Sequence, residues 1–439
     1  MKTRVLGLLM VMFGAGVLSA QQWPQWRGPM MTGEASEGNP PVRWSETENI
    51  AWKTAIPGAG HATPVVWGHR IFVLTAVPDD EAAVKQADTT QAQGRRSWMR
   101  GKKADRLYHF TVICIDLQSG RMLWETVVHT QLPHEGTHGD GSWASPSPVT
   151  DGAHVYAFFG SFGLFCLDFD GHVVWQRDLG DMNIRATFGE GSSPALYGDR
   201  LIIQWDHEGD SFIAALDKNS GVELWRRPRD ERTAWSTPVV TIVDGRPQVL
   251  VNATGAMRGY DLETGAVIWE ATGMTVNVVP APLVENGLAV FMSGFRGQAM
   301  TAIRLSGARG QLDGTDHIAW TYNKDTPYTP SALLYQHRLY FYKQNRGTMT
   351  CLNAVDGTVL WGPERLAGQK MAYASPVAAS DRIFTVGREG VAHVLDGGDD
   401  FKILSTNTLD DGFDASPAIV GDRLLLRGRK SLYCIAKEK

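Results

Sequence analysis

The sequence is short of the features that mark membrane-spanning, nucleic-acid-binding and disulfide-stapled proteins. After Leu18 no stretch approaches the ~20 apolar residues that a membrane span requires, and only four cysteines occur in 439 residues. The formal net charge is -5, which argues against nucleic acid or an anionic membrane surface as the main partner. The chain also has no low-complexity tract, and its content of 43% hydrophobic and 20% charged residues is that of a folded globular protein with a large core.

The first twenty residues have the pattern of a secretory signal peptide. Two basic residues, Lys2 and Arg4, precede an apolar run over residues 5–18, and small residues follow before two glutamines. No cysteine follows the predicted cleavage point, so a lipid anchor is not expected there. We therefore expect residues 1–20 to direct export. The remaining chain should act in the periplasm or outside the cell, as a monomer without a transmembrane segment.

A short phrase recurs along the chain, consisting of a small residue, then a serine, threonine or alanine, and then a proline. Each copy precedes a stretch of β-branched and aromatic residues, such as 70–74 or 200–203, whose pattern predicts a strand. The copies are Thr63-Pro64, Ser147-Pro148, Ser193-Pro194, Thr237-Pro238, Ala281-Pro282, Ser375-Pro376 and Ser416-Pro417, with Ser331-Ala332 as a degenerate one. Eight copies predict eight structural repeats.

A second phrase follows in most repeats: an aspartate, a glycine four residues later, and a tryptophan four residues after that, as in Asp217, Gly221 and Trp225. The glycine suits a tight turn, because it accepts positive φ. The tryptophans are Trp124, Trp175, Trp225, Trp269, Trp320 and Trp361, at separations of 41 to 51 residues. This spacing is typical of a four-stranded propeller blade, and we expect the indoles to pack between blades.

The four cysteines, Cys114, Cys166, Cys351 and Cys434, occupy one repeat position on different blades. Because blades hold equivalent residues apart, we expect buried free thiols and neither disulfides nor a shared metal site.

These patterns predict an all-β fold, an eight-bladed β-propeller of four-stranded antiparallel blades in a single domain over residues 21–439. The last repeat ends without its tryptophan strand, and residues 49–53, with Trp52, supply a matching strand at the other end of the chain. An N-terminal strand that completes the last blade closes the ring and removes two exposed sheet edges. Residues 78–107 are predicted to form a solvated basic insertion in blade one.

The loops that lead into the first strand of each blade, and those between its second and third strands, emerge on one face, called here the loop face. Binding sites usually lie on such loops. The predicted ligand-binding residues are His61, Trp143, Glu190, Asp206, His207, Glu208, Trp235, Asn277, Arg296, Tyr328, Asn345, Tyr373, Arg388 and Asp414. No catalytic residue is predicted, and a solvated rim of salt bridges is the alternative interpretation of these loops.

Two loops, 133–140 and 205–210, are rich in histidine and carboxylates. Such side chains bind divalent metals or act as general acids and bases, which leaves a hydrolase or lyase as an alternative. Neither spacing is diagnostic of a known metal site. The hypothesis requires the two loops to meet across the loop face.

Residues 23–29, both repeated phrases and residues 412–417 resemble the secreted β-propeller proteins with pyrroloquinoline quinone (PQQ)-like repeats. The wider superfamily holds the quinoprotein alcohol dehydrogenases and the outer-membrane assembly factor BamB, and the resemblance implies eight blades. Those dehydrogenases place a disulfide of adjacent cysteines against PQQ, and many carry a Cys-x-x-Cys-His haem motif. Neither feature occurs here, and the acylated cysteine of BamB is also missing.

The resemblance therefore favours a non-catalytic binding or scaffolding protein, which acts through its loop face on a protein partner or a polar small ligand. The alternative that it implies is a PQQ- and calcium-dependent oxidoreductase of the alcohol or sugar dehydrogenase type.

Overall fold

A computed structural model of the protein describes residues 22–83 and 101–437. The predicted signal peptide and residues 84–100 of the predicted insertion lie outside these ranges. The described strands form eight sheets, one for each repeat, and the four main strands of each sheet pair antiparallel. Each sheet is a blade, whose strands are called a to d from the central axis outward. The predicted eight-bladed β-propeller is confirmed.

The blades follow one another along the chain, and each of them contains the two repeated phrases or their equivalents. Blade one consists of Val65–Trp67, Arg70–Ala83, Arg106–Asp116 and Met122–Gln131, and blade two of Val149–Thr150, His154–Phe158, Leu164–Asp168 and Val173–Arg177. Blade three consists of Ala195–Tyr197, Arg200–Trp205, Phe212–Asp217 and Glu223–Pro228, and blade four of Val239–Val243, Arg246–Val251, Met257–Asp261 and Val267–Ala271. Blade five consists of Leu283–Glu285, Leu288–Ser293, Ala299–Arg304 and Ile318–Tyr322, and blade six of Leu333–Tyr335, Arg338–Tyr342, Thr348–Asn353 and Val359–Arg365. Blade seven consists of Val377–Ala379, Arg382–Val386, Val391–Asp396 and Ile403–Thr408, and blade eight of Ala418–Val420, Arg423–Arg427, Ser431–Ile435 and Ile50–Ala55.

Three features depart from the regular pattern. Short extra strands lie at the inner edge of blade one, Gln22–Trp23, and at the outer edge of blade four, Gly310–Gln311. Two 3₁₀ turns occupy Gly160–Phe162 and Arg185–Thr187. In blade one, strands b and c continue into the predicted insertion, because Ala83 still pairs with Arg106.

Burial explains why the strands of one blade differ in composition. Strands b and c are covered on both faces by the neighbouring blades, so runs such as Leu201–Trp205 and Phe212–Leu216 are buried without a break. Strand d is the rim of the blade, and in Glu223–Pro228 only Trp225 is buried.

Each repeated tryptophan packs against the next blade. Trp175 donates its indole N–H to the carbonyl of Lys218 at 3.0 Å, at the turn of the following blade. A Cβ on Gly221 of that turn would lie 2.6 Å from the same ring, so glycine is required there. Across the ladder, Trp175 pairs with Cys166. The prediction that the indoles pack between blades is confirmed, and the four cysteines are buried and free.

The closure of the ring is also confirmed. The N-terminal strand Ile50–Ala55 pairs antiparallel with Ser431–Ile435 as strand d of blade eight. Its tryptophan, Trp52, donates to the carbonyl of Leu117 in blade one at 3.0 Å. Equivalent bonds to the next blade are formed by Trp124, Trp175, Trp225 and Trp320.

The serine or threonine of the first phrase forms a hydrogen-bonded ring around the axis. The hydroxyl of Ser147 accepts a bond from the backbone N–H of Thr63 at 2.9 Å, and that of Ser331 accepts one from Ala281 at 3.0 Å. Equivalent hydroxyls belong to Ser193, Thr237, Ser375 and Ser416. The ring is open at Ala281, which has no hydroxyl of its own, and at Thr63, whose buried hydroxyl has no hydrogen-bond partner among the described residues. This bonding explains why the phrase recurs, since each of these six bonded hydroxyls ties one blade to its neighbour.

Replacing Ser331 with alanine should lower the free energy of unfolding by about 1–3 kcal/mol, because the N–H of Ala281 is left buried without an acceptor. Urea unfolding measures the loss. Ser119→Ala serves as the control, since that exposed hydroxyl bonds only within its own turn, to Asp116 and to the N–H of Arg121. Its loss should cost less than about 0.5 kcal/mol. Equal losses in the two variants would show that the ring adds no stability.

The segment that follows Gln22–Trp23 closes the central channel at the end opposite the loop face. The carbonyl of Pro24 accepts a bond from Thr150 in blade two. The guanidinium of Arg27, 1% exposed, donates to the carbonyls of Ala332 and Pro376 in blades six and seven, each at 2.7 Å. Met31 packs against blades four and five. The channel is therefore sealed at this end.

Among the described residues, no helix is long and apolar enough to span a membrane.

Candidate functional site

A cavity of about 660 Å³ lies on the axis at the loop face. The loops that lead into strand a of all eight blades contribute to its wall, together with the b–c loops of blades five and six. Its floor includes hydroxyls of the serine and threonine ring, and Trp26 of the sealing segment, whose indole N–H lies 3.4 Å from Ser416 Oγ. The cavity therefore opens towards the loop face only.

The structure brings most of the predicted ligand-binding residues together around this cavity. Those that line it are His61, Glu190, Trp235, Asn277, Arg296, Tyr328, Asn345, Tyr373 and Asp414. Trp143 lies in a small neighbouring pocket with Phe162, and its indole donates to the carbonyl of Glu135 at 3.1 Å. Arg388 lies behind the wall, where it bonds to carboxylates that do line the cavity.

Asp206, His207 and Glu208 do not line the cavity. Asp206 forms an ion pair with Arg229 at 2.7 Å, in which neither side chain is more than 1% exposed. The Nδ1 atom of His207 accepts the backbone N–H of Asn183 at 2.9 Å, and Glu208 accepts the hydroxyl of Thr233 at 2.9 Å. These residues position the neighbouring loops that form the wall.

The contacts of these side chains, and of those in loop 133–140, also test the hypothesis of a metal site in loops 133–140 and 205–210. Within the parts of the chain that the structure describes, no group of three or more histidine, cysteine, aspartate or glutamate side chains can hold a metal ion. His134 Nε2 bonds to the carbonyl of Met182 at 2.9 Å, and Asp140 forms an ion pair with Arg388. Both of these side chains are therefore engaged within the protein.

One side of the cavity is a paired charge network. Arg388 contacts Asp140 at 3.0 Å and also bonds to Asp414, so it joins the loop before blade two to blades seven and eight. Arg429 adds a second bond to Asp414 at 2.9 Å. Arg388 holds the pKa of Asp140 below its usual range. Both carboxylates are thus neutralised by guanidinium groups.

The opposite side carries arginines without such partners. Arg185 and Arg296 line the cavity, and within the described ranges neither forms an ion pair with a carboxylate. Beside them Phe295 and Tyr328 stack, with ring centroids 4.8 Å apart and planes 26° apart. This side therefore combines positive charge with aromatic surface.

Two ionisable side chains in the wall have strongly shifted pKa values. Burial raises the pKa of Glu190 to about 7, although its carboxylate accepts bonds from the N–H and hydroxyl of Ser161. Burial lowers the pKa of His61 to about 4, against the opposing effect of Asp414 at 3.8 Å. At neutral pH His61 is therefore uncharged and Glu190 is near its midpoint.

These shifts predict opposite pH dependences of stability. The folded protein binds a proton at Glu190 more tightly than the unfolded chain does, so this residue's contribution to stability falls as pH rises from about 4.5 to 7. Relative to wild type, Glu190→Gln should gain up to about 3 kcal/mol across that window. His61→Gln should behave in the opposite way, because the wild type loses stability as pH falls from about 6.5 to 4. Urea unfolding at several pH values tests both, and parallel curves for all three proteins would contradict the assignment.

Sequence reasoning missed several wall residues. Trp26 lies in a segment outside the repeats, so no repeat position predicted its place under the cavity. Arg185 belongs to a 3₁₀ turn in which Ala186 and Thr187 have positive φ, and no sequence pattern marks that geometry. The unusual length of the loop between Trp175 and Ser193 was the available signal.

Fold and site together define a closed eight-bladed propeller with a blind cavity on its loop face. Residues 109–363, more than half of the chain, match the family model described as outer membrane protein assembly factor BamB, and the chain belongs to this family.

A curated relative from Francisella salina, also described as outer membrane protein assembly factor BamB, is 25% identical over 239 residues. The match covers 46% of this chain and 42% of the relative, so the chain spans less than half the length of that protein.

Two solved structures have a similar fold. The BamB structure from Moraxella catarrhalis has a TM-score of 0.51 and 15% identity, and the match covers 82% of this chain and all of that one (100%). The quinohemoprotein alcohol dehydrogenase from Comamonas testosteroni has a TM-score of 0.59 and 11% identity, over 95% of this chain and 81% of the enzyme. Likeness at this identity shows the fold alone.

The dehydrogenase-like fold raises the question whether the cavity suits PQQ and calcium. Calcium requires several oxygen ligands, including carboxylates, and Asp140 and Asp414 are already bonded to Arg388. All four cysteines are buried within the blades, and none of them lines the cavity. The aromatic surface and the two arginines Arg185 and Arg296 suit a planar anion. The third carboxylate of the lining, Glu190, is bonded to Ser161, so a calcium ion in this cavity would have to displace the present partners of the carboxylates.

Proposed function

We propose that this protein is a non-catalytic binding protein, which holds a polar ligand in the cavity of its loop face. The ligand is either a free small molecule or a group presented by a protein partner. The observation that carries the proposal is the blind cavity of about 660 Å³, whose volume lies in the range of small-molecule sites. Aromatic rings and polar side chains from many blades converge on it, as binding requires.

The proposal includes a location outside the cytoplasm, in the periplasm or beyond. The signal-peptide pattern of residues 1–20 supports it, and so does the family description, which refers to outer-membrane protein assembly. A scaffolding role on protein partners is compatible with the same loop face, because rings such as Trp235, Tyr328 and Tyr373 are residue types that anchor protein interfaces.

The fluorescent probe 1-anilinonaphthalene-8-sulfonate tests whether the cavity binds ligands in the native protein. We expect saturable binding at one site, and at least a fivefold weaker affinity in Tyr328→Ala, which removes half of the Phe295–Tyr328 stack. Tyr197→Ala is the matched control, since Tyr197 is 38% exposed on the a–b turn of blade three, on the opposite face. Absence of saturable binding, or equal weakening in both variants, would refute a binding site at the loop face.

A further inference from the structure

We propose that the wall formed by Arg185, Asn277, Phe295, Arg296 and Tyr328 is a subsite for a carboxylate group attached to an aromatic or other planar body. The carboxylate belongs either to a free organic acid or to the C-terminus of a peptide, since both present the same chemistry. This inference rests on the proposed function, because it names the ligand class of the same cavity.

The charge balance of the cavity carries the first step. Asp140 and Asp414 are neutralised by Arg388 and Arg429, whereas Arg185 and Arg296 lack a carboxylate partner among the described residues. The cavity is therefore locally positive in a chain of net charge -5. Guanidinium groups bind carboxylates through paired, charge-assisted hydrogen bonds.

The rings of Phe295 and Tyr328 lie on the same side of the cavity as Arg296. Phe295 stacks on Tyr328, and the guanidinium carbon of Arg296 lies 5.4 Å from the centroid of the Phe295 ring. Asn277, Arg185 and Tyr328 line the same cavity. Burial raises the pKa of Tyr328, while a hydrogen bond with Asn277 and the positive charge of Arg185 oppose that rise. A ligand that stacks on this pair thus has arginines within reach of its acidic group.

Asn277 adds a specific hydrogen-bonding requirement. It lines the cavity and is 3% exposed, and its Oδ1 atom is buried without a hydrogen-bond partner in the described part of the chain. A buried acceptor without a partner costs about 1–3 kcal/mol, so a ligand N–H or O–H at this place is favoured. Asn277 and Arg296 both hold positive φ, at 59° and 51°, a strained geometry that is common at ligand sites.

Calorimetric titration with two isosteric probes, indole-3-acetate and indole-3-acetamide, tests the inference. Both probes offer an indole ring and an N–H, and only the acetate is charged. We expect wild type to bind the acetate at least tenfold more tightly. Arg185→Gln and Arg296→Gln should each weaken acetate binding by about tenfold, or 1.4 kcal/mol, and leave acetamide binding unchanged. Arg346→Gln, an exposed arginine of the blade-six loop outside the cavity, should have no effect.

Equal affinities for the two probes in wild type, or an undiminished preference for the acetate in both cavity variants, would overturn the carboxylate subsite. If neither indole probe binds while the naphthalene sulfonate does, the subsite is refuted and the binding function stands. If no probe binds, the proposed function fails as well. A dipeptide, acetyl-glycyl-tryptophan, distinguishes the sources: binding tighter than indole-3-acetate indicates a peptide terminus, and weaker binding indicates a free acid, either of which supports the carboxylate.

Discussion

Replacing Arg27 with methionine is expected to lower the free energy of unfolding by about 3–5 kcal/mol. The guanidinium is almost fully buried and donates to the carbonyls of Thr32, Ala332 and Pro376 at 2.7 to 2.9 Å. Methionine fills part of the space but donates nothing, so three carbonyls lose a partner at about 1–3 kcal/mol for each group that stays unpaired. Burial lowers the pKa of Arg27 to about 9, because the charged form has lost its contact with water.

Urea unfolding measures the loss, and Arg27→Lys is the companion variant. Lysine keeps the charge but not the planar fork that reaches several carbonyls at once, so an intermediate loss is expected. A methionine variant within about 1 kcal/mol of wild type would contradict the structural role given to the sealing segment. Because Trp26 is the neighbouring residue, naphthalene sulfonate binding should weaken in the same variant.

The second large effect is expected from Trp52→Ala in the closing strand. The variant loses the indole bond to Leu117 and the packing against Gly120, a truncation that typically costs about 3–5 kcal/mol. Strand Ile50–Ala55 is also held to blade eight by pairing with the far end of the chain. Weakening it exposes the edge of Ser431–Ile435, so concentration-dependent self-association should accompany the loss of stability.

Trp124→Ala is the matched control, because Trp124 of blade one makes equivalent contacts with blade two. Its indole donates to the carbonyl of Phe169 at 2.8 Å and lies against Gly171. It should cost a similar free energy and remain monomeric, since its strand continues directly from strand c of the same blade. Sedimentation at several concentrations separates the two variants. Identical sedimentation behaviour would mean that closure by the N-terminal strand has no special role.

The sequence predicted the repeating part of this molecule because each repeat restates the same physical constraints. The turn glycine accepts positive φ, the tryptophan covers the next blade, and the ring hydroxyl bonds to the preceding blade. The sealing segment and the extra strands Gln22–Trp23 and Gly310–Gln311 were not predicted, since segments so short and without repeats leave no periodic pattern.

The site was predicted at the level of loops but not of side-chain direction. Asp206 and Asp414 both belong to loop-face loops, yet Asp206 faces Arg229 inside the wall and Asp414 lines the cavity. That difference depends on which arginine each aspartate contacts, Arg229 for Asp206 and Arg388 for Asp414. A single sequence does not reveal such contacts between distant residues. Arg185 was overlooked because its orientation follows from left-handed backbone at Ala186 and Thr187.

Thermal unfolding with PQQ and calcium ions, alone and together, combined with dye reduction in the presence of alcohols and sugars, tests the central claim that the cavity binds without redox turnover. A specific ligand at a hundred times its Kd stabilises the folded state by about 2.7 kcal/mol, enough for a clear shift in Tm. We predict that calcium adds nothing to the Tm measured with PQQ alone, and that no dye is reduced. A shift that appears only with both additions, together with substrate-dependent dye reduction, would contradict the account and establish a quinoprotein dehydrogenase.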